Sequence, residues 1–452
     1  MQKRLKIAVV GSGLVGSLLA IYLKKSGHTI HVYDRSPDIR QINFSGRSIN
    51  LAMSHRGWKA LDGAGIGDTI RNIAIPMDKR AIHVGSDVKF QYYGHDGESI
   101  YSLSRGVLNR KMIDLAEESG AEFFFEKKVW DVSLAEATLH IGESERGEWT
   151  EHKYDMVFGA DGAFSRVRHR MQRQSLFDYS QQFLKTGYKE LNIPANPDGT
   201  HKLDKNSLHI WPRSEYMLIA LPNLDGSFTC TLFMPFEGEN SFESLADMKS
   251  LEAFFMKNLP DTMEVIPKLV EDFFRNPTST LVTMKCYPWT YEDKVALIGD
   301  ACHAIVPFYG QGMNAGFEDI TVLYEMMQLY GDDWKMIFSE YQKSRKPNAD
   351  AIAELSYRNF MEMSSRTADA KFLLQKKIEK RFSEKYPKEW EPLYSRVTFS
   401  HRPYTEALAI GQKQKEIMDA IMIMPGIENL WDSEAVENKI LELLKSSTLS
   451  PD

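Results

Sequence analysis

Three glycine-bearing turns hold the residues whose types and spacing suit ligand chemistry, and each follows a short apolar run. The first is Gly11-Ser-Gly13-Leu-Val15-Gly16, a GxGxxG pattern. Gly11 allows a tight turn, Gly13 lets backbone approach a pyrophosphate, and Gly16 lets a following helix pack closely on its strand. Unpaired N–H groups at that helix start would face phosphate charge. Asp34 lies close to the ~20-residue spacing of an acid that binds a ribose hydroxyl. The second turn is Gly159-Ala-Asp161-Gly162, leading to Ser165 and Arg168; taken alone it is also a plain structural loop. The third is Gly299-Asp300-Ala-Cys302-His303, followed by Pro307 and Gly310-Gln311-Gly312-Met313-Asn314-Ala-Gly316. Histidine is the usual acid–base side chain. In this setting His303 reads better as a structural hydrogen-bonding group, and Cys302 as a small buried hydrophobe.

These turns need strands and helices to place them. Lys6 to Val10 is apolar and reads as a strand, Leu18 to Lys25 as a helix ended by Ser26-Gly27, and Thr29 to Tyr33 as a second strand closing on Asp34. That is a β-α-β unit with the glycine pattern at its first turn and the acid at its end. Residues 79–101 alternate polar and apolar around Gly85-Ser86 and Gly94 to Gly97, which predicts hairpins. Asn109 to Glu118 predicts a helix stopped at Gly120. Residues 154–158 and Val295 to Ile298 predict buried strands before the second and third turns. The segments SLHIW, YMLIALP and SFTCTLFMP within 206–235 predict an antiparallel sheet, and the chain from Trp334 onward predicts helices. The fold class is mixed α/β (α+β): a Rossmann-like domain, an inserted antiparallel sheet and a C-terminal helical region.

Composition bounds the chemistry without naming it. The chain has 452 residues, 43% of them hydrophobic and 26% charged, which is ample for a core without staples. Lysine and arginine total 55 against 62 acidic residues, a net charge of −7, so a general nucleic-acid binder is disfavoured. Cys230, Cys286 and Cys302 form no CxxC pair, so neither a disulfide framework nor a metal site is expected, and a reducing compartment fits. No window approaches the ~18 apolar residues of a membrane span. The expectation is a soluble, cytoplasmic protein without a membrane anchor; a homodimer is left open.

The three turns, in this order, resemble the FAD-binding signature of class A flavoprotein monooxygenases, the para-hydroxybenzoate hydroxylase-like group. The blocks from Gly46 to Ala52 (GRSINLA), Gly187 to Leu191 (GYKEL), Leu208 to Pro212 (LHIWP), Ala220 to Asp225 (ALPNLD) and Val306 to Asp319 are similar to the kynurenine 3-monooxygenase family from about residue 5 to residue 410. The resemblance implies an FAD enzyme that uses NADPH and O2 to hydroxylate L-kynurenine to 3-hydroxykynurenine through a flavin C4a-hydroperoxide, as part of tryptophan catabolism. It implies no protein nucleophile or general base. It implies a discontinuous FAD-binding domain (1–75, 102–180, 286–335), a substrate sheet domain (76–101, 181–285) and a helical region (336–452). Matched residue by residue, Arg80, Tyr93, Asn359 and Tyr394 correspond to ligands of the substrate carboxylate; a guanidinium suits that role because it grips a carboxylate with two parallel hydrogen bonds. Leu208, Met217, Ile219, Leu221, Thr231 and Phe233 would line a slot for the aryl ring, and the same spacing fits a plain sheet core. Pro307, Phe308 and Gln311 would close the slot on the flavin side.

For the flavin, the resemblance implicates Val15, Asp34, Arg35, Ala52, Arg105, Val129, Asp300, Met313 and Asn314. These join Gly11, Gly13, Gly16, Asp161 and Gly312 of the glycine turns, with Arg47 a second candidate beside Arg105 for the pyrophosphate. Asp300 would accept hydrogen bonds from ribityl hydroxyls, and the helix starting near Met313 would aim its positive end at the flavin pyrimidine. The rivals are a hydroxylase of another aromatic carboxylate, a halogenase or simple oxidase, and a non-catalytic FAD-fold carrier. Halogenases of this fold carry WxWxIP; only Trp211-Pro212 stands here. No second Rossmann fingerprint marks an NADPH site.

Overall fold

The computed structural model describes residues 3–41, 49–85, 87–93, 97–365 and 370–446. Arg47, Ser86 and most of the turn from Gly94 to Gly97 lie outside the described residues.

A six-stranded sheet sets the first layer. Its order is Thr290–Tyr291, Val295–Leu297, Met156–Gly159, Lys6–Val10, Thr29–Tyr33 and Glu122–Phe124. All neighbours run parallel except the outermost hairpin. The strands read as unbroken apolar runs because both faces are covered: Ile7, Ala8, Val9, Met156, Val157, Phe158 and Val295 are all essentially unexposed. Parallel pairing brings the carboxyl ends of Lys6–Val10, Met156–Gly159 and Val295–Leu297 side by side. The three glycine turns follow those ends, so residues nearly 300 positions apart share one rim.

The second sheet has seven strands, ordered Ser279–Tyr287, Asp178–Ile193, Phe228–Pro235, Met217–Pro222, Ser207–Pro212, Lys79–Val84 and Asp87–Tyr92. It is antiparallel apart from the junction of Ser207–Pro212 with Lys79–Val84. One face packs Trp211, Leu218, Ala220, Cys230 and Leu232 against the helices Met248–Asn258, Pro260–Val265 and Leu269–Arg275. The opposite face carries Leu208, Ile210, Met217, Ile219, Leu221 and Phe233. The alternation in the sequence is therefore a two-sided pattern, with a helix-packed face and a cavity face.

Helices Trp334–Ser365, Ala370–Lys385, Leu393–Thr398, Tyr404–Met422 and Glu434–Ser446 complete the molecule. No helix among the described residues is long and apolar enough to cross a membrane.

Three local expectations shift. The helix expected from Leu18 begins at Leu14, because Gly13 is already its extended N-cap residue. The helix expected from Asn109 begins at Arg105, directly off the strand Ile100–Ser104. That strand does not extend the Lys79–Tyr92 hairpin; it pairs with Asn50–Met53 and Ile75–Met77 in a separate small sheet. The boundaries at 180/181 and 285/286 lie inside the strands Asp178–Ile193 and Ser279–Tyr287, which join the two layers without a linker.

Candidate functional site

A cavity of about 1180 Å³ runs between the two sheets and under the C-terminal helices. Its ends are built differently.

At the glycine-turn end, backbone does most of the shaping. Gly11 has φ 109°, and a Cβ there would sit 2.4 Å from the Ala160 carbonyl oxygen. A Cβ on Gly16 would sit 2.0 Å from the Gly11 oxygen. A Cβ on Gly13 would meet nothing within 4 Å, and Gly13 lines the cavity with Val15. The three glycines thus divide into two packing positions and one open edge. Val15 wedges against Gly299 and Gly316 of the third turn. Asp34 accepts from the Ser12 amide and hydroxyl, both at 2.8 Å, and from the Ser36 amide at 2.8 Å, so it ties the first turn to the second strand.

Arg105, Asp300, Ala52, Gly312 and Met313 also line this end. Neither the Arg105 guanidinium nor the Asp300 carboxylate has a hydrogen-bond or ion-pair partner among the described residues, and burial raises the Asp300 carboxyl above its usual range while Arg105 and His303 draw it back. The helix Gly312–Tyr330 starts here without a side-chain cap. Its unpaired N–H groups favour nearby negative charge by about 0.3–1 kcal/mol.

Several expected ligands turn elsewhere. Asn314 is fully buried: its Oδ1 accepts from the Ser54 amide at 2.9 Å, and its Nδ2 donates to the Ala52 and Gly310 carbonyls at 2.9 and 2.8 Å. Its side chain clamps the helix to the strand Asn50–Met53, and only its backbone is left for a ligand. Asp161 Oδ2 accepts from the Arg166 amide at 2.6 Å, capping the helix Arg166–Met171, and Asp161 does not line the cavity. Gln311 is 1% exposed, accepts from the Tyr404 hydroxyl at 2.9 Å and does not close the slot. Arg35 is exposed and Val129 is buried in a small sheet, both away from the cavity lining.

His303 takes the structural role. Its Nε2 lies 2.5 Å from Asp319 Oδ2, and Asp319 Oδ1 accepts from Arg345 Nε at 2.8 Å. Arg345 also donates to Glu318, which pairs with Arg56, whose guanidinium lies 3.9 Å from the Tyr404 ring centroid. His303 and Arg345 hold the buried Asp319 carboxyl below its usual range against the effect of burial. Arg168 binds the Ala163 and Ala301 carbonyls at 2.7 and 2.9 Å, tying the second turn to the third.

At the other end, side chains do the shaping. Arg80 faces the cavity deep inside the molecule, with its guanidinium 4.1 Å from the Tyr394 ring centroid and 5.3 Å from that of Tyr93. Tyr93 stacks on Tyr394 at 5.5 Å, and Tyr394 on Tyr309 at 5.8 Å, both pairs 16° from parallel. Arg80 Nε and the Tyr93 hydroxyl are buried without a hydrogen-bond partner. Such orphans cost about 1–3 kcal/mol each when left unpaired; Arg80 lines the cavity, so its Nε marks a place for an acceptor, whereas Tyr93 is not among the lining residues. Burial would lower the Arg80 pKa, but the two phenols raise it, so Arg80 stays a cation; burial pushes the Tyr93 phenol well above its usual value. Asn359 Nδ2 donates to the Phe308 carbonyl at 2.8 Å and lines the same end. Leu208, Met217, Ile219, Leu221 and Phe233 line the wall with Pro307 and Phe308; Thr231, 1% exposed, does not reach it.

A family described as an FAD binding domain matches residues 4–356. The chain is 79% identical over 445 residues to a kynurenine 3-monooxygenase of Flavobacterium johnsoniae, covering 98% of this chain and 100% of that one. The chain belongs to the kynurenine 3-monooxygenase family. A second member, from Dictyostelium discoideum, is 43% identical over 92% of this chain and 93% of its own. Among solved structures, 2-methyl-3-hydroxypyridine-5-carboxylic acid oxygenase aligns with a TM-score of 0.67 at 19% identity, covering 82% of this chain and 96% of that one, a likeness of fold.

The glycine-turn end fits the FAD of this family. Gly13 offers an open edge for the pyrophosphate, Arg105 a cation free to pair with it, and Asp300 an unshared carboxylate facing the cavity. Some cavity residues are not named from the sequence, and one, Tyr309, is left open there as a gate. Ile210 and Ile82 share the inward parity of Leu208 and Arg80, a signal that alternation carries. Tyr309, next to Pro307 and Phe308 in the third motif, completes the aromatic stack.

Proposed function

We propose that this chain hydroxylates L-kynurenine at the ring carbon beside its aromatic amino group. The overall change is L-kynurenine, NADPH, H⁺ and O2 to 3-hydroxykynurenine, NADP⁺ and water. The observation that carries the substrate assignment is the buried, unpartnered Arg80 Nε in the wall of an apolar slot, with the unpartnered Tyr93 hydroxyl on a ring 5.3 Å from the guanidinium. An aromatic amino acid matches that layout: a carboxylate for Arg80 and a ring for the slot.

When bound, FAD would supply the redox chemistry that couples NADPH oxidation to O2. Gly13, Arg105, Asp300 and the start of the helix Gly312–Tyr330 would hold it. Arg80 binds the substrate carboxylate in bidentate fashion, and the Tyr93 hydroxyl, kept protonated by burial, donates to the same group. Tyr394 supports the guanidinium from below through its ring face. Asn359 is anchored on the Phe308 carbonyl, which links the carboxylate site to the turn Pro307–Tyr309 beside the slot. Leu208, Met217, Ile219, Leu221, Phe233 and Phe308 hold the ring and exclude water. No side chain acts as a nucleophile or general base: the aromatic amine already enriches its neighbouring ring carbon, so the protein's task is alignment. Three free, buried cysteines and the need for NADPH fit a cytoplasmic setting.

The test is turnover in air with purified, FAD-loaded protein. One 3-hydroxykynurenine should form per NADPH consumed with L-kynurenine, and none with the decarboxylated amine. Equal turnover of the two substrates would remove the carboxylate site from the account.

A further inference from the structure

The turn between the two ends of the cavity is hung on its carbonyls. Pro307, Phe308 and Tyr309 line the slot, and Gly310, Gly312 and Met313 follow them along the same wall. The Pro307 carbonyl accepts from the Gly310 amide, and the Gln311 carbonyl from the Ala315 amide, both at 2.8 Å. Side-chain amides hold the three carbonyls between. Asn359 donates to Phe308 and Asn314 to Gly310, each at 2.8 Å, and Gln311 Nε2 reaches the Tyr309 carbonyl at 3.4 Å. Asn314 is braced from its other side by the Ser54 amide. Among the described residues, the brace of Gln311 is the Tyr404 hydroxyl, 2.9 Å from its Oε1 and 93 positions along the chain.

The hydrogens can run only one way. The Tyr309 carbonyl accepts, so the Gln311 NH2 faces it, and Oε1 is left to face Tyr404. That oxygen also only accepts, so the hydroxyl donates. Burial holds the Tyr404 phenol above its usual value although Arg56 draws it down, so the donor keeps its hydrogen.

Tyr404 is itself a fixed point. It opens the helix Tyr404–Met422 and is fully buried. The Arg56 guanidinium lies 3.9 Å from its ring centroid, donates to the Arg402 carbonyl and pairs with Glu318 of the helix Gly312–Tyr330. Arg345 holds Glu318 from the helix Trp334–Ser365 at 2.7 Å. Gln311 is the N-cap residue of Gly312–Tyr330, yet its side chain caps nothing. Drawn aside to Tyr404, it leaves the first N–H groups of that helix open.

We propose that Tyr404 is a positioning residue for the hydroxylation. Through Gln311 it sets the slot wall Pro307–Tyr309 against the start of Gly312–Tyr330, and so the placement of the substrate ring relative to the flavin. It touches neither ligand. The proposal rests on the kynurenine reading above. Its consequence is a matter of alignment, since small misplacements of reacting groups cost rate steeply. Where the ring is out of place, NADPH, H⁺ and O2 leave as NADP⁺ and hydrogen peroxide, and kynurenine is released unchanged.

The experiment compares wild type, Tyr404→Phe, Gln311→Met and the double variant, all FAD-loaded. Phenylalanine keeps the ring for Arg56 and removes only the hydroxyl. With saturating L-kynurenine in air, the ratio of hydrogen peroxide to 3-hydroxykynurenine should rise about three- to tenfold in Tyr404→Phe, the scale of one lost hydrogen bond. Kynurenine affinity, which Arg80 governs, should stay close to that of wild type. Gln311→Met should reproduce the rise, and the double variant should exceed neither single one, because the effect runs through one amide. A role in stability alone would lower the melting temperature and leave the ratio where it was. An unchanged ratio in Tyr404→Phe, or single effects that multiply, would overturn the proposal. Should Tyr404→Phe fail to fold, Gln311→Met alone decides, and a wild-type ratio there would overturn it. The absorbance spectrum of the flavin without substrate gives a second reading: both single variants should shift it alike, and a wild-type spectrum in Tyr404→Phe would also overturn the proposal. Failure of wild type to form 3-hydroxykynurenine would instead remove the kynurenine reading, and the spectra would still decide on Tyr404.

Discussion

The two ends of the cavity solve the same problem, holding a large polar ligand inside a protein, in opposite ways. The flavin end is shaped by backbone. Gly11 and Gly16 have neighbours 2.4 and 2.0 Å from any added Cβ, and Asn314, Arg168 and the His303–Asp319–Arg345 chain tie its turns together. Arg105 and Asp300, without hydrogen-bond or ion-pair partners among the described residues, face the cavity. The Arg80 end is shaped by side chains from Lys79–Val84, Trp334–Ser365 and Leu393–Thr398 and from Tyr93, with ring stacking as the frame and two buried polar atoms left open. In the function proposed above, the first design would hold one cofactor by fit of the main chain, and the second a substrate that must come and go by a small set of replaceable groups.

Substitutions should separate the ends. The largest effect is expected of Gly16→Ala. The clash is with a carbonyl that cannot move without unmaking the turn, so FAD content of the purified protein should fall by more than about tenfold, at or beyond the ~1–3 kcal/mol of ordinary overpacking. Retained FAD would show the turn to be softer than its packing implies. Arg80→Ala should do the converse. FAD content stays, while the kynurenine dissociation constant rises by about two to three orders of magnitude, the scale of ~3–5 kcal/mol for deleting one partner of a buried charge pair. Loss of FAD in that variant would place Arg80 at the wrong end.

Asp319→Asn probes the frame of the flavin end without touching either ligand. The carboxyl's pKa is depressed in the folded protein, so it contributes stability above the unfolded carboxylate range near ~3.9, which fades as pH falls through the lower folded value. The variant should melt several degrees lower than wild type at neutral pH, and the gap should close in acid; a gap independent of pH would contradict the ionic reading. The smallest effect is expected of Tyr93→Phe. Its hydroxyl has no partner in the free protein, so stability should hold or rise slightly, while kynurenine binds about three- to tenfold more weakly, the ~0.5–1.5 kcal/mol of one hydrogen bond. Unchanged binding would confine the carboxylate site to Arg80, Asn359 and Tyr394.

The same contrast governs how much the sequence discloses. The first glycine turn is readable because its logic is local: strand, glycines, helix and acid lie within about thirty residues, and the neighbours of Gly11, Gly13 and Gly16 match the roles their spacing implies. The cavity face of the sheet is half readable. Alternation finds Leu208, Ile219 and Phe233, but the same alternation admits Thr231, which lies at the matching register and stops short of the cavity. Arg80, Tyr93, Asn359 and Tyr394 have no local signature and enter only through resemblance to the family. Asn314 and Gln311 look like ligands in sequence because they sit at a glycine-rich turn. Their amides turn inward to partners such as Ser54 and Tyr404, distant in the chain, which no spacing rule encodes.

If one cavity joins a flavin held by backbone to a kynurenine held by Arg80, substrate at one end must govern reduction at the other. Anaerobic reduction of the FAD-loaded protein by NADPH, followed by flavin absorbance with and without L-kynurenine, reads this in wild type and Arg80→Ala. Kynurenine should accelerate reduction in wild type, the acceleration should vanish in Arg80→Ala at the same kynurenine concentration, and admitting air should yield 3-hydroxykynurenine only from wild type. Reduction indifferent to kynurenine in wild type, with no hydroxylated product in air, would contradict it.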